Sequence, residues 1–243
     1  MTDPIQSTAT IDLYTGQSSR FVLIIGKSGS GKSTALRNLD PESTFLINVL
    51  GKSLPFVKGS KYILGQNMAT LTDAGRIQQM MKMVSENRKF KNLIIDDLQY
   101  IMATEFMSKA TERGYDKFSI MARNIWEILV LASKLRGGLN VYFLAHEDDT
   151  GLQRKMKTLG RLLDEKITPE GTSTIVLFCE IDIRDDHTIK YYFSTTPEGS
   201  TCAKAPMGMF PPRIPNDLKL ISDRIDEYYS GIELRDSKLN FSI

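Results

Sequence analysis

The stretch Phe21-Val22-Leu23-Ile24-Ile25-Gly26 runs directly into Lys27-Ser28-Gly29-Ser30-Gly31-Lys32-Ser33-Thr34, and it constrains the fold more tightly than any other segment. An apolar strand that opens into Gly-x-x-x-x-Gly-Lys-Ser is the context in which this pattern makes a phosphate-binding loop; helix-compatible Ala35-Leu36-Arg37-Asn38-Leu39 follows it. Glycines at 26, 29 and 31 let the backbone bend tightly and turn successive N–H groups inward. The start of the following helix adds unpaired amides and a positive dipole end. Lys32 offers a mobile point charge for β- and γ-phosphates, and the Ser33 hydroxyl is a ligand for Mg²⁺. Gly26, Lys27, Ser28, Gly29, Ser30, Gly31, Lys32, Ser33 and Thr34 therefore form the expected cradle, with ATP and Mg²⁺ as its expected occupants.

The rest of the chain supplies a sheet for that loop. Residues 44–50 and 93–95 are continuous apolar runs, as is 141–145, the mark of strands buried on both faces. A short strand is expected at 62–64. Helices are expected at 33–39, at 72–88 with Thr72 or Asp73 as cap, from Leu98, and at 118–135, where Ile125, Ile128, Leu129 and Ala132 keep helical spacing. This alternation predicts a mostly parallel central sheet flanked by helices. Beyond it, residues 174–184 and 189–193 alternate with period two around a turn, which predicts an antiparallel hairpin extending one sheet edge. A proline-rich loop, 206–215, and a last helix at 216–229 follow. A chain of 243 residues with 41% hydrophobic content suffices for one large α/β domain. The expected division is a flexible arm, 1–19, and a single domain, 20–243.

A net charge of +2 gives no global attraction to polyanions, so any nucleic-acid contact must be local. Cys179 and Cys202 are too few for a disulfide framework or a zinc cluster. The polar start of the chain and the lack of a long apolar run point to a cytoplasmic protein without membrane contact.

A nucleotide-bound magnesium needs a carboxylate behind it, and hydrolysis needs a group to position water. Leu93-Ile94-Ile95-Asp96-Asp97 offers both, from a strand expected to lie beside the loop strand. Asp96 is the metal-side candidate and Asp97 the catalytic one. Adjacent strand residues face opposite ways, so the two acids share a site only if the strand ends between them. Asp97 also suits the cap of the helix that begins at Leu98. His146 ends the third buried strand, where ligands collect in doubly wound sheets, and is a candidate sensor of the γ-phosphate. The loop after it carries Arg154, Lys155, Lys157 and Arg161, a basic stretch able to grip a nucleic-acid backbone. Residues 104–118 offer Lys109, Arg113 and Lys117 interleaved with Phe106, Tyr115 and Phe118, which suits stacking on unpaired bases. Each basic segment equally suits a solvated face.

Together these motifs resemble the RecA-like branch of phosphate-loop ATPases, and more narrowly its compact phage-encoded members, including Sak-type single-strand annealing proteins. The resemblance rests on residues 26–34, 93–97 and 143–146 with the basic loop, on Asn48-Val49-Leu50-Gly51-Lys52-Ser53-Leu54-Pro55, and on 203–208. It implies a Mg²⁺-dependent ATPase that acts on single-stranded DNA in recombination, annealing or repair. It also implies a homo-oligomer, ring or filament, with nucleotide near subunit interfaces, and it makes Lys204 a candidate finger reaching a neighbour's nucleotide. One departure stands out: RecA carries a catalytic glutamate after its second strand, whereas here that strand ends in Ile47-Asn48-Val49-Leu50. A nucleotide-switched binding module, or a packaging or replication accessory ATPase with little hydrolysis of its own, is the alternative. A small-molecule kinase fits less well, because no arginine-rich lid is evident.

Overall fold

The computed structural model describes residues 18–112, 114, 116–159, 167–183, 185 and 187–230. Its centre is a nine-stranded, mostly parallel sheet. The strands are β1 (Arg20–Gly26), β2 (Thr44–Asn48), β3 (Met68–Ala69), β4 (Asn92–Asp96), β5 (Asn140–Asp149), β6 (Arg154–Met156), β7 (Ile175–Ile183), β8 (Ile189–Ser194) and β9 (Arg213–Pro215). Their order is β3-β2-β4-β5-β1-β7-β8-β9, with β6 paired to β5. β2, β4, β5, β1 and β7 run parallel, and β8 and β9 continue the β7 edge antiparallel.

Alternation along β1 divides the core. Phe21, Leu23 and Ile25 pack into the cluster under α1 (Ala74–Glu86), α2 (Gln99–Ser108) and α3 (Asp116–Ala132). Val22 and Ile24 enter the opposite cluster, with Leu36, Leu39 and the apolar face of α4 (Leu218–Tyr229). Strands buried on both faces are what the continuous apolar runs require. α1 starts at Asp73, whose side chain accepts from Arg76 N at 2.8 Å, and α4 at Asp217, which accepts from Lys219 N at 2.9 Å.

Several elements differ from the sequence expectation. Residues 62–64 form no strand, because Asn67 folds the segment onto itself. Its Oδ1 accepts from Ile63 N at 2.6 Å, and its Nδ2 donates to Lys61 O and Pro41 O. The edge strand is β3 instead. The segment after the phosphate loop is a 3-10 stretch, Ser33–Asn38, ended by the extended Leu39. Much of the polar stretch 104–118 is helical, tied by Glu105 to Lys109 at 2.7 Å and to Asn124 at 2.9 Å. The loop 206–215 contains β9, and the basic loop contains β6. Ser18 and Ser19, assigned to the arm, are held to the end of α3, Ser19 N to Leu135 O at 2.8 Å and Ser19 Oγ to Ala132 O at 2.6 Å. The rest of the expected arm lies outside the described residues. β4 does not lie beside β1. β5 separates them, pairing Arg20 with Asn140 through to Gly26 with His146.

Candidate active site

The site lies where β1 stops and its neighbours continue. Gly26 cannot carry a side chain: a Cβ there would stand 2.6 Å from Ser30 Oγ and 2.8 Å from Cys179 O. Gly29 and Gly31 have φ of +79° and +94°, the left-handed region that favours glycine. Lys27, Ser28 and Gly29 are exposed, Ser30 and Lys32 buried, and Gly31, Ser33 and Thr34 half-buried. Lys32 Nζ donates to Gly26 O and Lys27 O, both at 2.8 Å, so two of its three N–H groups hold the loop closed. Burial lowers the Lys32 ammonium pKa, opposed by the nearby Cys179, Asp96 and Asp97. Below the loop, the buried Cys179 thiol bonds to Ser30 O at 2.9 Å and receives Asn216 Nδ2 at 3.0 Å.

Although β4 is two strands from β1, its end reaches the site. β4 stops at Asp96, and Asp97 takes φ of +68°, so the strand alternation breaks between the two acids. Asp96 is buried. Its carboxylate accepts from the Ser33 hydroxyl, and its Oδ1 has no partner. Burial pushes Asp96 up to about 6 despite the Ser33 bond. Asp97 has different surroundings. Lys52 Nζ lies 2.6 Å from its Oδ2, and His146 Nε2 lies 3.4 Å from its Oδ1. Burial alone would raise its carboxyl, but the His146 and Lys52 hydrogen bonds and charges outweigh that and hold it at about 2. Asp97 supplies no side-chain cap to α2, since the cap position is Leu98 and carries no side-chain bond.

A cavity of about 730 Å³ opens over the loop, with Lys32, Ser33, Lys52, Asp97 and His146 on its polar side. Sequence reasoning quoted Lys52 without giving it a role. A signal existed: Asn48 Nδ2 donates to Lys52 O at 2.7 Å, so the tight turn after β2 places the lysine back over the strand ends. Tyr191 and Asn216, also at the cavity, were legible as strand and helix-start residues, not as site residues.

The basic residues separate into three groups. Arg154 is no free cation: it forks onto Glu147 at 2.8 and 2.7 Å and reaches Glu180 at 2.7 Å. Glu147 follows His146 on β5 and Glu180 follows Cys179 on β7, so Arg154 clamps the two strands where β1 has ended. The guanidinium expected on a nucleic-acid backbone is thus engaged by two carboxylates of its own chain. Lys109 pairs with Glu105, and Lys117 donates to Lys109 O and Glu112 O. Lys157 is exposed and Lys155 half-buried on β6; the Lys157 amide donates to His146 O at 2.8 Å. Arg113 and Arg161 lie outside the described residues. Lys204 pairs through its backbone with Val176 on β7, level with Leu23 in mid-sheet and not among the cavity residues.

The residues present suit magnesium. This ion keeps several waters and binds through one or two protein oxygens plus phosphate. Ser33 with the half-satisfied buried Asp96 carboxylate behind it offers that donor set.

A glycine loop after a buried strand, closed by Lys32 and Ser33 and backed by an acid from the end of a parallel strand one place further along the sheet, defines a phosphate-loop ATPase that binds nucleotide. Residues 18–207 match the model of the AAA domain family AAA_24, and the chain belongs to that family. No curated protein matches the chain. Among solved structures, it is similar to a KaiC-like protein from the hyperthermophilic archaeon Pyrococcus horikoshii OT3. The TM-score is 0.43 at 13% identity, over 83% of this chain and 85% of that one. No helix among the described residues is long and apolar enough to cross a membrane.

Proposed function

We propose that this protein is a Mg²⁺-dependent ATPase that acts on single-stranded DNA in recombination, annealing or repair, a phage-encoded relative of the Sak-type ATPases. The observation that carries the reading is the line from Asp97 through His146 to Lys157. His146 faces Asp97 with its ring and accepts the Lys157 amide with its carbonyl, so the acid and the residue just after the basic strand β6 share one contact.

In this reading Lys32 turns from the loop carbonyls to the β- and γ-phosphates, where its charge is better matched. Ser33 and Asp96 hold the metal side. Magnesium, held by Ser33 with Asp96 behind it, would supply positive charge that offsets the charge on the phosphates. Asp97 stays ionised at neutral pH and accepts a hydrogen bond from the attacking water, once Lys52 shares its charge with the γ-phosphate. His146 reports that rearrangement to β6, and Lys155 and Lys157 meet the DNA backbone, with Lys109, Lys117 and Arg161 as further contacts. In the same reading the protein works as a homo-oligomer, ring or filament, with Lys204 acting on a neighbour's nucleotide.

Turnover of ATP measured with and without single-stranded DNA tests the reading. Stimulation that fades as salt rises is expected. The absence of both stimulation and DNA retention at low salt would sink it. The alternative, a nucleotide-switched module without strong hydrolysis, is favoured by Asn48, which stands opposite Asp96 where an acid would be needed. Product analysis after prolonged incubation with ATP separates the two, since the switch leaves ATP intact.

A further inference from the structure

The nucleotide cavity has a second side that phosphate chemistry leaves unexplained. In the sheet order β4-β5-β1-β7-β8, the loop lies at the centre. The acids and His146 come from two strands on one flank, and β8 forms the other. Along one face of β8, Phe193 is fully buried, Tyr191 is 42% exposed and Ile189 52% exposed, and the last two line the cavity. They pair across the hairpin with Ile181 and Ile183, so an apolar ladder leaves the core and runs out into the cavity. The Tyr191 ring lies against the loop: a Cβ on Gly31 would stand 2.9 Å from its Cδ1. Two polar neighbours are already committed. Asn216 Nδ2 donates to Cys179, and Arg37 donates to Thr34 O and Asn216 O.

A cavity with acids, Lys52 and His146 on one flank, a phosphate cradle in the middle, and a half-exposed aromatic beside Lys190 on the other matches the layout of a nucleoside triphosphate. Resting on the nucleotide reading above, we infer that Tyr191 and Ile189 form the platform on which the base stacks. The site then takes a nucleotide in preference to a bare polyphosphate. Exposing an aromatic ring and an isoleucine in water is unfavourable, and covering them with a base recovers apolar contact on one face.

Calorimetric titration of the full chain with ATP and with inorganic tripolyphosphate, both with Mg²⁺, tests this. In the wild type, ATP should bind tighter than tripolyphosphate by roughly tenfold or more, the scale of one base–aromatic stack. Tyr191→Ala and the bulkier Tyr191→Leu should each weaken ATP by roughly tenfold to a hundredfold and leave tripolyphosphate within about twofold. Tyr191→Trp should keep the preference for ATP. Ile183→Ser, outside the cavity on the same ladder, should change neither ligand. Equal weakening of both ligands by Tyr191→Leu would mean that the ring merely props the phosphate loop, and no change would mean that no base rests there. Either result overturns the platform while the nucleotide site stands. A wild type that binds neither ligand would overturn the nucleotide reading itself, and the platform with it.

Discussion

The two flanks of the nucleotide cavity meet at one loop and are made of opposite materials. On the parallel flank stand charged and polar groups: Asp96 and Asp97 where β4 ends, and His146 on β5 level with the end of β1, with Lys52 folded back from β2. On the antiparallel flank, β8 presents Ile189 and Tyr191. Parallel strands buried on both faces carry polar side chains mainly at their ends, and ligands gather beyond the carboxyl ends, so chemistry concentrates there. The antiparallel edge can leave one face partly open, and there it offers apolar surface beside the single ammonium of Lys190. Arg154 fastens the flanks together by holding Glu147 of β5 and Glu180 of β7.

The contrast can be broken from either flank. The largest effect belongs to the shared loop: Lys32→Ala should weaken ATP by on the order of a hundredfold, since it removes the charge-assisted contacts, and turnover should fall below detection. On the polar flank, Asp97→Asn should cut turnover by roughly a hundredfold or more while ATP affinity stays unchanged. Unchanged turnover would remove Asp97 from the chemistry.

At the join, Arg154→Ala should destabilise the fold by about 3 kcal/mol, because the buried Glu147 loses its partner. A thermal melt at neutral pH measures this, and an unchanged Tm would dissolve the clamp. Asp96→Asn should act the other way. Its carboxyl is raised to about 6 in the folded protein, so the folded state binds the proton more tightly than the unfolded one. The stability tied to that proton is present below the ordinary carboxylate range and lost as pH rises through 6. Asp96→Asn should therefore stabilise the nucleotide-free protein by on the order of 2 kcal/mol at pH 7.5, and the gain should vanish below about pH 4. Mg²⁺-dependent turnover should fall in the same variant. The smallest change is at β6: Lys155→Glu with Lys157→Glu should leave basal turnover alone and lower the salt slope of single-stranded DNA binding by roughly 1.4, about 0.7 for each phosphate contact.

The polar flank was legible in the sequence and the apolar one was not, for a physical reason. Gly26, Lys32, Ser33, Asp96 and His146 interrupt or end apolar runs, and such a break is costly unless it serves a site or a turn. Tyr191 interrupts nothing. It continues an alternation whose next member, Phe193, is core, and period two cannot tell a core position from a cavity wall. Long-range partners were equally hidden. Nothing local to Arg154 announces Glu180, twenty-six residues on, so a buried clamp looked like a basic loop. The strand order escaped as well. Alternating strands and helices fix parallel pairing, but the insertion of β5 between β1 and β4 depends on which helix crosses which face.

The proposed function turns on a coupling of the cavity to the basic strand region through His146. Steady-state ATP turnover of the wild type and of Lys155→Glu with Lys157→Glu, each with and without single-stranded DNA at low salt, tests it most directly. DNA is expected to raise wild-type turnover, and the double variant to keep the basal rate and lose the rise. Equal stimulation of both proteins, or none in the wild type, would contradict it.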